Sequence, residues 1–192
     1  VNSPCQVPCW QNITPGVTKA EKINDLLKSI PEINENKIER LPKWNIYDER
    51  YKFEFKDKKS EGEIFIVESF VYSIVINGDL NISLEQIIKL YGEPEKLIVS
   101  STMVPGLLGL EANALEINLV YLKEGIAFSF YNTNLDLISI KPNNLIKNAV
   151  FSEPKNILNI ISPNEQPLEE LERQKRAFDW QGYQELKFDP QK

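Results

Sequence analysis

The sequence predicts an α+β fold: two tandem helix-plus-antiparallel-strand units forming one curved sheet with helices on one face. Three observations predict it. Two helix-start signals, at Thr18 and Ser83, stand 65 positions apart, and each is followed by several segments in which aromatic or β-branched residues alternate with polar ones. A Lys123-Glu124-Gly125 turn joins two of those segments directly, as in a hairpin. The chain, 192 residues long and 42% apolar, can bury a core of its own without help from a metal.

In chain order, Thr18-Lys19-Ala20-Glu21 has the pattern of a capping box and predicts a helix from about Lys19 to Ser29. Its apolar residues Ala20, Ile23, Leu26, Leu27 and Ile30 fall on one stripe, and Pro31 ends it. Strands are predicted over 47–56, 62–68 and 70–77; Tyr51, Phe53 and Phe55 alternate with Lys52, Glu54 and Lys56, the period of a strand with one wet face. Ser83-Leu84-Glu85-Gln86 repeats the capping logic, with Ile82 placed to staple onto Ile87 and with Gly92 and Pro94 as a stop. Strands then follow over 97–103, 115–122, 126–132 and 146–152, with a short helix or turn over 156–161. The units so defined cover about 13–78 and 79–163 of a single domain, 1–163. The remainder, 164–192, is expected to form a helix over 167–177, with Leu168, Leu171 and Phe178 inward, and a tail that packs on the domain.

Composition removes whole classes of chemistry. Without a single histidine the chain lacks the commonest general base, the imidazole of serine and cysteine triads and the commonest transition-metal ligand. A net charge of −6 argues against nucleic acid, which is bound by clustered Lys and Arg. No glycine loop of phosphate-cradling type occurs, and no cofactor or metal site is expected. Ser152-Glu153-Pro154-Lys155 matches the Ser-x-x-Lys spacing of acyl-enzymes, but a proline interrupts the helix start which that chemistry needs. Asn132, Asn134 and Asp136 alternate like the first ligands of a calcium loop, yet Leu137 and Asn143 occupy the positions of its glycine and bidentate glutamate. Glu111, Glu116, Glu124 and Asp136 surround the second hairpin and are the carboxylates a histidine-free glycoside hydrolase would draw on.

The only cysteines, Cys5 and Cys9, lie four apart in a proline-rich segment. They are read as a local disulfide, with free thiols as the alternative; the spacing is not that of a redox Cys-x-x-Cys, and a zinc site would need two further ligands. A disulfide implies an oxidising compartment, so an extracytoplasmic location, secreted or lipid-anchored at a bacterial cell surface, is expected. No run of 18 apolar residues occurs, so membrane contact is expected only through a lipid anchor upstream of Val1.

The helix opening Gly16-Val17-Thr18-Lys19-Ala20-Glu21 and its second copy, Ile82 through Pro94, resemble those of small envelope lipoproteins of the SmpA/BamE type and of secreted β-lactamase inhibitory proteins. That resemblance covers about thirty residues in two places and implies a helix-plus-antiparallel-sheet fold that acts by binding proteins. The first copy departs from it in lacking the glycine before its proline. The opening Pro8-Cys9-Trp10-Gln11-Asn12-Ile13-Thr14-Pro15-Gly16 and the close Trp180-Gln181-Gly182-Tyr183 are similar to uncharacterised bacterial secreted or lipoprotein-like chains; this likeness would span nearly the whole chain and implies no activity.

Two features favour recognition. The segment Met103 to Leu110, with Leu107 and Leu108 at its centre, is unusually apolar for a connection between strands. Trp10, Trp44, Tyr47, Trp180 and Tyr183 fall in irregular or edge segments, where aromatics either form binding platforms or plug the ends of the sheet. The expected function is therefore that of an extracytoplasmic, non-enzymatic binding protein, the soluble part of a bacterial lipoprotein, whose partner is another envelope or secreted protein. The alternative from a different class is a carboxylate-dependent hydrolase acting on cell-wall or polysaccharide material. A third reading, an oligomer-forming envelope component, places the 178–183 segment at an interface; the sequence does not fix the oligomeric state.

Overall fold

The computed structural model describes residues 7–105, 111–161, 167–174 and 176–187. The fold is α+β and centres on a large antiparallel sheet. Its strands are β1 (Ile33–Leu41), β2 (Glu49–Phe55), β3 (Ser60–Val67), β4 (Phe70–Gly78), β5 (Lys96–Pro105), β6 (Glu111–Tyr121), β7 (Ile126–Asn132), β9 (Asn148–Ser152) and β10 (Ala177–Asp179), in the order β1-β2-β3-β4-β9-β7-β6-β5-β10. β8 (Leu137–Ser139) and β11 (Glu185–Lys187) form a second, two-stranded sheet. The helices are α1 (Ile23–Lys28), α2 (Leu84–Tyr91), α3 (Ile157–Ile161) and α4 (Leu168–Arg173).

Alternation along the strands divides the apolar side chains into two cores. Leu97, Val99, Ile117, Leu119, Ile126, Phe128 and Phe151 share the larger core with Ile64, Ile74, Ile23 and Leu27 of α1, and Leu84 and Ile87 of α2. Their immediate neighbours Ile98, Val120, Ala127 and Val150 point the other way and form the smaller core with Ile157 of α3 and Leu171 of α4. The strands of the second half are thus apolar on both sides where α3 and α4 lie across them, whereas β2 keeps Arg50, Lys52 and Glu54 opposite its core residues Tyr51 and Phe53.

The local signals were used unequally. Ser83 caps α2 in full: its hydroxyl accepts from the Gln86 N–H at 3.3 Å and the Gln86 side chain accepts from the Ser83 N–H at 2.8 Å. Thr18 does not cap α1. Its hydroxyl accepts from the Thr14 N–H at 2.8 Å, and its carbonyl accepts from Val71 at 2.9 Å, so residues 18–20 are held against the start of β4 and a 3-10 turn, Ala20–Lys22, leads into the helix. β1, read from the sequence as connection, is an edge strand, broken in register between Ile33 and Ile38, and only its inward positions Ile33 and Ile38 carry a strand signal.

Candidate functional site

The site is built on the face of the sheet opposite α1 and α2. Across five adjacent strands Glu61, Asn77, Asn148, Ser129 and Asn118 stand side by side in register. The next row places Tyr131 opposite Glu116 and Glu116 opposite Ser100. A polar side chain under the edge of a packed helix layer needs a hydrogen-bond partner, and here the partners are mutual. Glu116 Oε1 accepts from Ser129 Oγ at 2.8 Å and from Asn148 Nδ2 at 2.8 Å, and Asn148 Nδ2 also donates to the Tyr131 hydroxyl oxygen at 2.9 Å. Ser129 is only 2% exposed, so this network joins a buried hydroxyl to a more open carboxylate. Burial pushes the Tyr131 hydroxyl above the ordinary tyrosine range; the Asn148 hydrogen bond opposes that shift and the Glu116 charge adds to it. Glu116→Ala is expected to cost about 1–3 kcal/mol in urea unfolding, because it orphans the buried Ser129 hydroxyl and removes one of the two acceptors of Asn148, whereas Glu116→Gln, which keeps an acceptor, is expected to cost less.

Beside the network lies a cleft of about 920 Å³, walled by Glu61, Asn77, Tyr131 and Asn148 from the sheet, by the Lys147–Asp79 ion pair and by Val104 of β5. Val104 reaches it because β5 and β6 outrun their neighbours. β7 last pairs at Leu115–Asn132 and β10 last pairs at Ala177–Ile98, while β5 and β6 continue together to Pro105–Glu111 as a two-stranded arm.

An aromatic platform occupies the other end of this face. Between β1 and β2, Trp44 and Tyr47 exchange backbone hydrogen bonds of 3.1 and 3.0 Å, closing a tight turn with Asn45 at φ 55°. Their rings lie 6.1 Å apart and 21° from parallel, and Tyr47 packs on Phe65 at 4.6 Å and on Tyr72 at 5.8 Å. The Arg50 guanidinium sits 5.0 Å from the Trp44 ring centroid, within cation–π range, and its Nη1 lies 3.4 Å from Glu63 Oε2. The indole is held from beneath and still 52% exposed.

The aromatic residues expected from the sequence thus separate. Trp44 and Tyr47 belong to the platform. Trp10 stacks on Phe53 at 5.5 Å and meets Phe55 edge-on at 6.4 Å, packing against the larger core. Trp180 meets Tyr183 edge-on at 6.0 Å and also packs against the larger core, on the side away from the platform. Leu107, Leu108 and Cys5, the expected partner of Cys9, lie outside the described residues. Phe65, Tyr72 and Arg50 were not singled out from the sequence; they sit on strands at the parity opposite the core, and that parity was the signal that could have found them.

The Ser-x-x-Lys and calcium-loop patterns find no supporting geometry among the described residues. Ser152 is fully buried and its hydroxyl donates to the Glu153 carbonyl at 2.8 Å, while Lys155 pairs with Glu153 at 3.4 Å. Asn132 and Asn134 spend their side chains on the backbone of their own loop, with Asn134 Oδ1 accepting from the Asp136 and Leu137 N–H groups at 3.0 and 3.1 Å. Among the described residues no group of three His, Cys, Asp or Glu is placed to hold a metal ion, and no helix is long and apolar enough to cross a membrane. No protein-family model matches the chain, and neither a curated protein nor a solved structure is significantly similar to it.

Proposed function

We propose that the protein is an extracytoplasmic, non-enzymatic binding protein, the soluble part of a bacterial lipoprotein, and that it grips another envelope or secreted protein with the sheet face that carries the Trp44–Tyr47 platform. The observation that carries this reading is Trp44. Its ring is fixed by Tyr47 and Arg50 yet half in water, and Trp, Tyr and Arg are the residues that dominate binding hot spots. Fixing an exposed indole in advance lowers the ordering cost of association.

The two-unit reading supports the same conclusion. Each of α1 and α2 precedes a run of strands, and the order β1-β2-β3-β4 followed by β9-β7-β6-β5 is what two like units joined at their last strands would produce. That arrangement suits the likeness to protein-binding envelope lipoproteins and β-lactamase inhibitory proteins. The extracytoplasmic location rests on the disulfide expected from the sequence between Cys5 and Cys9; two alkylatable thiols in protein purified from an oxidising compartment would remove that support.

The test is site-specific photo-crosslinking in the producing cells. A crosslinker at Ile46 or Lys52, both on the platform side, is expected to trap one discrete partner, and a crosslinker at exposed Val17 is expected not to. Equal adducts from both positions, or hydrolysis of cell-wall polymers by the purified protein that Glu116→Gln abolishes, would overturn the binding reading.

A further inference from the structure

We infer that the polar cleft beside the Glu116 network is a second binding site, and that it takes an uncharged oligosaccharide. The cleft, of about 920 Å³, shares Lys59, Glu61, Asn77 and Gly78 with an adjoining hollow of about 410 Å³, so the two form one groove across the ends of β3, β4 and β9. None of its walls belongs to the Trp44–Tyr47 platform, which lies at the other end of the same face, so the inference stands apart from protein capture there.

A sugar hydroxyl both donates and accepts, so a site for it must present both kinds of group, already placed. Asn148 is placed by the network: its Nδ2 donates to Glu116 Oε1 at 2.8 Å and to the Tyr131 hydroxyl oxygen at 2.9 Å, which fixes the amide and leaves Oδ1 as an acceptor that no described residue uses. Tyr131, accepting from Asn148, keeps its own proton to give. Asn77 stands opposite Asn148 in register, and among the described residues none hydrogen-bonds its side chain, so it offers a donor and an acceptor together. An acceptor, a donor and a group that is both therefore meet in one cleft, on strands whose register fixes their spacing.

The charges and the floor select among ligands. Two cations, Lys59 and Lys147, and two anions, Glu61 and Asp79, wall the cleft, and Lys147 pairs with Asp79 while Glu61 pairs with Lys52 at 3.1 Å. A charged ligand would bring a like charge beside one of these groups without an unmatched opposite charge to repay it. Val104 is the only aliphatic side chain among the described walls, so an apolar ligand finds little to cover it. An extended peptide binds through an open strand edge or through pockets for its side chains, and here the floor is β3, β4, β9 and β7, each already paired on both sides. What remains is a neutral chain of hydroxyls.

Titration calorimetry of the full chain with neutral trisaccharides of glucose, mannose, galactose and N-acetylglucosamine should show binding of at least one of them. A galacturonic acid trisaccharide and a serine- and threonine-rich pentapeptide are expected to bind more weakly than that sugar by about tenfold or more. Asn77→Ala and Tyr131→Phe are each expected to weaken sugar binding by about tenfold, the effect of a lost hydrogen bond, and Asn77→Ala should leave the urea midpoint close to wild type. Absence of binding by all four neutral sugars up to about 10 mM, binding of the charged sugar or the peptide as tight as that of any neutral sugar, or a sugar affinity indifferent to both substitutions would overturn the inference.

Discussion

Gly125→Val is expected to lower stability by about 3 kcal/mol or more, read as the shift of the urea midpoint at constant slope. Gly125 closes the turn between β6 and β7 at φ +66°, a region that costs side chains with a β-carbon roughly 1–2 kcal/mol. The larger cost comes from what a Cβ would meet: the Ser152 carbonyl oxygen at 2.1 Å and the Pro154 nitrogen at 2.9 Å. Both are backbone atoms, so no side chain can rotate away to relieve the contact. The Ser152 N–H meanwhile donates to the Gly125 carbonyl at 2.9 Å, which pins the turn against the end of β9. Relief would therefore require β9 to shift, and with it Val150 and Phe151 in the two cores. Gly182→Ala provides the comparison, because Gly182 is also left-handed, at φ +88°, but has nothing within 4 Å of its Cβ position; only the conformational cost, about 1 kcal/mol, is expected there. Equal losses at the two positions would mean that the turn does not bear on β9.

The same docking shows which parts of the fold the sequence could announce. Period-two alternation made β2, β3, β4 and β6 legible, whereas β7 and β9, buried on both faces, were legible as short apolar runs. β1 was not legible, because an edge strand with one covered face needs only Ile33 and Ile38 inward and can be polar elsewhere. β8, β10 and β11, at three residues each, are too short to show a period; their pairing is set by the neighbours they meet. The cap at Ser83 was readable because it is local, whereas the identical logic failed at Thr18 because the Thr14 N–H takes its hydroxyl and the start of β4 holds the backbone of residues 18–20. The site divides along the same line. Trp44 and Tyr47 stood out as aromatics in an irregular segment, but Arg50, Phe65 and Tyr72 join them only through the register of β2, β3 and β4. The glutamate–serine–asparagine–tyrosine network is likewise invisible one strand at a time, since its members come from β6, β7 and β9.

Trp10→Ala is expected to cost about 2–4 kcal/mol in stability, and Trp44→Ala about 1 kcal/mol or less, although both remove an indole stacked on another aromatic ring. The difference lies in what each ring covers. Trp10 lies against Phe53, which is fully buried in the larger core, so its loss opens that core at the Phe53 and Phe55 rings to water. Trp44 covers Tyr47 and the Arg50 guanidinium on a face already wet, so truncation gives back little apolar burial. Trp44→Ala should instead act on association, weakening capture of the crosslinked partner by roughly thirtyfold or more, the effect of removing a hot spot of about 2 kcal/mol. Urea unfolding of the two variants, run beside crosslinking from Ile46, separates the effects. An indole that contributes to partner capture and almost nothing to folding is the signature of a binding anchor; a Trp44→Ala variant as unstable as Trp10→Ala would make the ring a structural prop and take away the observation on which the binding face rests.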